Sequence, residues 1–252
     1  MKTVFTILSF LFLGTNSFSQ SVFNIIDTTI NKDFDIELKN LNIVKDSIFF
    51  EDSTYIVSSS CSGEWGGSVI FKRKKTGKEY TCAATCPIVI NKINAKYYVT
   101  ASLAHMLGFS KIIEIANPKS MKVYKEPKPR YRSGNDKFYL VGDCESKSHK
   151  GTNTLVDTLG IITIVSFVYK EQFYHIISDF KTTLLCKIEN HRFVTIDTVS
   201  KDVLPIYFPE VYKTKKGSLV LLFDDNESKG YIEIRNNDIY IRRFKIEAAN
   251  NE

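Results

Sequence analysis

Past residue 40 the chain is a succession of short apolar or alternating runs, broken by clusters of Asp, Asn, Gly, Lys and Ser. The runs at 55–57, 68–71, 112–115, 161–169, 173–177, 182–188, 219–223 and 239–244 are strand-length and rich in Ile, Val, Tyr, Phe and Thr. These residue types fit a pleated surface buried on one or both sides. Helical period is scarce, and the one candidate, residues 101–107, amounts to a turn or two. The pattern predicts an all-β fold.

The runs group into modules. Residues 160–199 read as four consecutive strands (GIITIVSFVY, QFYHIISDF, KTTLLCKIE, HRFVTIDTV), joined by tight polar turns at Lys170-Glu171, 179–181 and Asn190. The same layout overlays residues 47–83, 87–124 and 209–246, with SMKVY as the fourth strand of the 87–124 module. Second strands begin near Tyr55, Tyr97, Phe173 and Leu219; the first pair is 42 residues apart and the last 46. A repeat of about 40–45 residues holding four strands is the signature of a propeller blade. One such sheet has two apolar faces and covers both only when neighbours flank it. The 76 residues between Tyr97 and Phe173 leave 126–159 as a degenerate fifth blade or a basic insertion with one good strand, 138–141. Residues 22–41 are expected to complete the blade that the C-terminus begins. The reading is a single domain over residues 20–252, a small β-propeller of about five four-stranded blades. The rival is a two-sheet β-sandwich, which also spaces its strands by about 8–12 residues.

The first twenty residues follow a different pattern. Met1-Lys2 is a positive start, VFTILSFLFL an apolar run of ten, and the stretch to Gln20 turns small and polar. That is the layout of a secretory signal peptide, here residues 1–19, cut after Ser19. Ten apolar residues are half of the roughly 20 that cross a bilayer, and no later run is longer. The expected protein is exported, periplasmic or secreted, with no transmembrane segment in the mature chain. Composition agrees with a globular domain: 43% hydrophobic, 25% charged, 12 Gly and 6 Pro in 252 residues. The net charge of +6 is too mild to carry nucleic-acid binding by itself.

The segments CSGEWGGSVIFK, YYVTASLAHMLGFSKIIEI and QFYHIISDFKTTLLCKIE resemble those of uncharacterised exported propeller-like proteins of Bacteroidetes bacteria. The resemblance implies a fold and an exported location, and no reaction.

Five cysteines follow the leader. Cys186 sits inside TTLLCKI and reads as a small buried apolar residue. Export makes disulfides possible, and Cys61–Cys82 or Cys61–Cys86 would close a loop of about 20–25 residues, leaving Cys144 for the remaining partner. Cys82-x3-Cys86 has the spacing of zinc ligands, but nothing nearby completes a tetrahedral set. SGEWGG holds the only Trp. Trp65 is either an exposed platform with Glu64 as polar contact, or a side chain wedged between blades.

There is no nucleophile elbow, no zincin motif and no phosphate-binding glycine loop. Of four histidines, His175 and His191 sit at strand positions, and His105 in SLAHMLGF lies on a connection and is the best site candidate. The turn Asp224-Asp225-Asn226-Glu227 lacks the spacing of a calcium loop. Asp46, Glu51, Asp143 and Asp157 are the carboxylates that a propeller axis could gather for glycoside chemistry. Residues 119–137 are basic with interleaved tyrosines, and Arg130 and Arg132 are its candidate contacts for an anionic partner. The reading favoured is a non-catalytic, monomeric module without cofactor that binds a protein or glycan through its loop face. The alternative is a carbohydrate hydrolase or lyase with its site at the axis.

Overall fold

The structure is a computed structural model that describes residues 21–132, 136–225 and 228–245. The expected leader, residues 1–19, lies outside the described residues, as do Asn226 and Glu227 of the acidic turn. Among the described residues the fold is all-β with one α-helix, Phe34–Leu41. Among the described residues no helix is long and apolar enough to cross a membrane.

Among the described residues four sheets of four or more strands follow one another along the chain, beside one two-stranded ribbon, and none closes on itself. Sheet I holds Phe50–Glu51, Tyr55–Cys61, Gly67–Arg73 and Glu79–Ala83 in sequential order, with Lys122–Val123 added at its outer edge. Sheet II holds Pro87–Ile93, Lys96–Leu103, Phe109–Ile115 and Asn153–Leu159. Sheet III holds Ile162–Tyr169, Gln172–Ser178, Thr183–Glu189 and Arg192–Ser200. Sheet IV holds Tyr212–Thr214, Leu219–Asp224, Lys229–Arg235 and Asp238–Phe244. The N-terminal segment completes sheet IV on both edges: Asn24–Ile30 pairs parallel with the last strand, and Ile43–Val44 pairs with Tyr212–Thr214. Between them, Asp33 caps the helix by accepting from the Ile36 N–H at 2.9 Å, and Phe34, Leu38 and Leu41 cover the outer face of sheet IV at Val220, Tyr231 and Phe244.

The modules at 47–83, 160–199 and 209–246 thus form as read. The 87–124 module differs in its fourth strand. SMKVY contributes only the exposed pair Lys122–Val123, and that pair joins sheet I. Asn153–Leu159 takes its place, pairing along Phe109–Ile115 and burying Val156. Among the described residues, 126–159 therefore make no fifth four-stranded sheet. They carry a two-stranded ribbon, Arg130–Tyr131 with Lys137–Phe138, and then this edge strand. Residues 101–107, the helical candidate, instead end the strand Lys96–Leu103 and turn.

Consecutive sheets pack against each other by different means. Sheets I and II share an apolar core that includes Val57, Phe71, Tyr97, Val99 and Ile115. Sheets III and IV share another, with Phe167, Ile176, Leu185, Leu221 and Ile232, closed by Phe23. Between sheets II and III the contact is polar: Thr100 donates to Ser166 at 2.7 Å, Asn91 donates to the Ser166 carbonyl at 2.9 Å, and Ser110 meets Thr163. Where sheet IV faces sheet I, a cleft of about 680 Å³ opens instead. Residues of the first strands of sheets I and II line it, together with Lys213 from the first strand of sheet IV.

The two ends of the sheets are unlike. In antiparallel order the first-to-second and third-to-fourth connections share one end. Here that end has two-residue turns at Asn94-Ala95, Lys170-Glu171 and Asn190-His191, both residues of each at positive φ. Such turns match the strand twist and leave little surface of their own. The second-to-third connections of sheets I to III, residues 62–66, 104–108 and 179–182, lie at the opposite end and are longer than these turns; the first end also carries the turn 74–78 of sheet I and the start of the insertion after Ile115.

Candidate functional site

Three of these longer connections touch in a row. In sheet I it is residues 62–66, a turn of 3₁₀ helix that carries Glu64 and Trp65. In sheet II it is residues 104–108. Glu64 and His105 meet across the gap at 3.4 Å, and both are about half exposed. Gly108 then lies against the connection of sheet III, at Phe180. Its φ is +77°, and a Cβ there would fall 2.5 Å from the Phe180 ring, so this close approach requires glycine.

Trp65 is 56% exposed, Met106 90% and Leu107 70%. The insertion from residue 126 adds Leu140 and Val141, also exposed, and brings them to the Trp loop. Gly142, at φ +80°, sits so close to Trp65 that a Cβ would lie 2.9 Å from the Trp65 Cβ and carbonyl oxygen. Lys147 Nζ donates to that carbonyl at 2.8 Å. The indole of Trp65 and the apolar side chains of Met106, Leu107, Leu140 and Val141 are thus in solvent on loops that adjoin through the Glu64–His105 and Gly142–Trp65 contacts, a composition suited to covering by another surface.

The loops are held from beneath. Cys61 is bonded to Cys86, tying the end of a sheet I strand to the segment entering sheet II. Beside that bridge, buried Glu145 accepts hydrogen bonds from three serines: Ser60 at 2.6 Å, Ser62 at 2.6 Å and Ser68 at 2.7 Å. Burial would raise its pKa, but the three hydroxyl donors, helped by Lys147, outweigh that and keep the carboxyl below its ordinary range. Arg130 grips Asp143 through two bonds of 2.8 Å, and Asp143 also accepts from the Leu140 N–H at 2.9 Å. Those contacts hold Asp143 below the usual carboxylate range and raise Arg130.

The candidates from sequence therefore divide. Trp65, Glu64 and His105 come together, and Trp65 is a surface residue rather than one wedged between sheets. Arg130 stays near that group but spends its guanidinium on Asp143. Arg132 lies over the Phe138 ring at 4.9 Å. The second disulfide does not form: Cys82 and Cys144 are free thiols. Cys82 faces the core shared by sheets I and II, whereas Cys144 is exposed on the insertion. With Cys86 in a disulfide, the Cys82-x3-Cys86 pair offers no pair of metal ligands. No three His, Cys, Asp or Glu side chains are grouped to hold a metal ion among the described residues.

Of the four carboxylates weighed for an axial site, Asp46 and Glu51 line the cleft between sheets IV and I, joined there by Glu210. Asp143 is the Arg130 partner, and Asp157 pairs with Lys111 at 2.8 Å on sheet II. In the cleft each carboxylate has a lysine: Asp46 has Lys213 at 2.7 Å, Glu210 has Lys45 at 2.6 Å, and Glu51 has Lys74. Lys45 and the Tyr212 hydroxyl hold Glu210 below its ordinary pKa. His175 is fully buried on sheet III, its Nδ1 2.8 Å from Ser166 Oγ, and burial pushes its pKa down to about 3.

Met106, Leu107 and Glu145 have no role in the sequence reading, and Leu140 and Val141 appear there only in the strand expected at 138–141, of which just Phe138 is in a strand, Lys137–Phe138. The signal for the first two was present, since apolar residues in a connection ending in Gly have no core to enter. The Ser58-Ser59-Ser60-Cys61-Ser62 run was the only trace of the Glu145 socket, and its acceptor lies more than 80 residues away from Ser60 and Ser62. Compared with known protein families, with curated proteins and with solved structures, the chain has no match.

Proposed function

We propose that this protein is an exported binding module whose ligand is another protein, held against the face built by Trp65, Met106, Leu107, Leu140 and Val141. The observation that carries this reading is the exposure of these side chains on loops pinned by a disulfide and by the Glu145 socket. A preformed apolar face loses little freedom on binding, and a Trp at its centre is the residue type that most often dominates interface energy. The aliphatic majority favours a protein over a sugar, which would need a polar rim of hydrogen-bonding groups around the indole.

In this proposal the four sheets are blades of a small propeller, four rather than five. Face-to-face packing of consecutive sheets, a cleft lined by the first strands of three of them, and an N-terminal strand that joins the last sheet support it. Export follows from the leader pattern, and N-terminal sequencing of the mature protein should begin at Gln20.

The alternative, a carbohydrate hydrolase or lyase, would use the cleft. A glycosidase needs one carboxylic acid with a raised pKa. Glu210 is displaced the other way, and lysines neutralise Asp46 and Glu51 as well.

The test is capture of partners from an envelope extract by the immobilised mature protein. Trp65→Ala and Leu107→Ser should each weaken capture about tenfold or more, in line with an anchor worth about 2 kcal/mol. Glu171→Ser, at the tight-turn end, should leave it unchanged. Equal capture by all variants would refute the assignment of this face.

A further inference from the structure

Beneath the insertion, apart from the apolar face, lies a second cavity of about 250 Å³. Its floor is the outer face of sheet I. Tyr80 and Cys82 of the strand Glu79–Ala83 point into the core, so Thr81 between them points out, to the side where Ser68 meets Glu145. Thr81 is only 5% exposed, yet its hydroxyl has no hydrogen-bond partner among the described residues. A buried hydroxyl without a partner is costly, and here it faces a cavity able to hold a small molecule.

The walls have a definite chemistry. Lys122 stands directly opposite Thr81 in the ladder, and Lys125 and Lys147 complete a basic rim. Neither Lys122 nor Lys125 has an ion-pair partner among the described residues, while the acidic members Asp143 and Glu145 are already engaged, by Arg130 and by the three serines. The cavity also contains Cys144, whose thiol is free and exposed. The other two free thiols are poor competitors. Cys82 and Cys186 are buried, and burial pushes their thiols up to about 12 and about 11.

We propose that this cavity is a modification site, where Cys144 takes up a small carboxylate-bearing thiol as a mixed disulfide. The thiol's carboxylate would rest against Lys122 and Lys125, with the Thr81 hydroxyl as hydrogen-bond donor. The oxidant is a small symmetric disulfide of that thiol. Cys144 gives up its proton to solvent, and its sulfur attacks one sulfur of the reagent. A bond forms between them, the reagent's own S–S bond breaks, and one equivalent of small thiolate leaves and is protonated. Cys144 is oxidised and half of the reagent is reduced.

The experiment follows the intact mass of the purified protein during reaction with dithiodiglycolate, which carries two carboxylates, and with the neutral hydroxyethyl disulfide. Both rates are divided by those of free cysteine, and the adduct is located by peptide mass. One adduct is expected, on Cys144, with dithiodiglycolate favoured about tenfold by the local positive field. Thr81→Val and the double variant Lys122→Gln/Lys125→Gln should each abolish that preference and leave the neutral reagent's rate unchanged. Lys187→Gln, on sheet III, should change nothing. Should Thr81→Val fail to fold, the lysine variant decides alone. Equal corrected rates for the two reagents in the unaltered protein, an adduct on another cysteine, or a preference that survives loss of both lysines would overturn the proposal.

Discussion

Ser68 Oγ donates to Glu145 Oε2 at 2.7 Å across 77 residues of chain, and this bond fixes the insertion to the outer face of sheet I. The same Ser68 oxygen accepts from the Ser146 N–H at 2.6 Å, so side chain and backbone of the insertion are held at one point. Trp65 stands on the loop above.

Removing the Glu145 carboxylate leaves three serine hydroxyls without their acceptor. Glu145→Ala should lower stability by about 2 kcal/mol, the scale of hydrogen bonds to a charged group, read as a fall in the urea midpoint at constant slope. Its pKa is depressed on folding, so the unfolded chain binds the proton more tightly. The contribution is complete above the ordinary value of 4.5 and is lost as pH falls through the lower folded value. The gap between unaltered protein and Glu145→Gln should narrow in acid and stay constant above neutrality.

Cys61 and Cys86 are 25 residues apart. A bridge over a loop of that length stabilises by about 3 kcal/mol in the chain-entropy picture. Cys61→Ser/Cys86→Ser should lose about that much in chemical denaturation. Reduction of the unaltered protein should reproduce the loss and leave the double variant unaffected.

His175 supplies an acid-sensitive group inside sheet III, bonded to the Ser166 hydroxyl that Thr100 of sheet II also reaches. Its pKa falls from 6.5 unfolded to about 3 folded, because burial disfavours the imidazolium. The folded state therefore binds fewer protons, and stability should decline as pH drops below 6.5, by up to about 1.4 kcal/mol per unit until about 3. His175→Gln should flatten that part of the stability profile, measured by denaturant titration from pH 7 to 4. An unchanged slope would remove His175 as the cause.

The strand pattern is readable because most strands bury one or both faces. Val69, Phe71, Ile176 and Leu185 announce themselves as apolar runs, and Lys170-Glu171 and Asn190 as turns between them. Sheet II was misread where local signals compete. SMKVY looks like a strand and supplies two exposed residues, whereas NTLVDTL contains one buried side chain, Val156, and wins because the long edge of Phe109–Ile115 needs a partner. The helix Phe34–Leu41 escaped notice because its apolar positions only cover a sheet's outer face. At the candidate site Trp65, Glu64 and His105 were visible as residue types, but not their meeting, which depends on how neighbouring sheets present their loops. Glu145 was illegible, since nothing local relates it to serines about 80 residues earlier.

The claim that the loop face engages a partner protein is tested most directly by photo-crosslinking in the cells that make the protein. A photoreactive residue is placed at position 65 or 106 on the face, at 48 in the cleft, or at 171 on the tight-turn end. The account predicts one discrete protein adduct from 65 and 106, lost when Leu107 is changed to Ser, and none from 48 or 171. Adducts from 48 alone, with positions 65 and 106 silent, would contradict it.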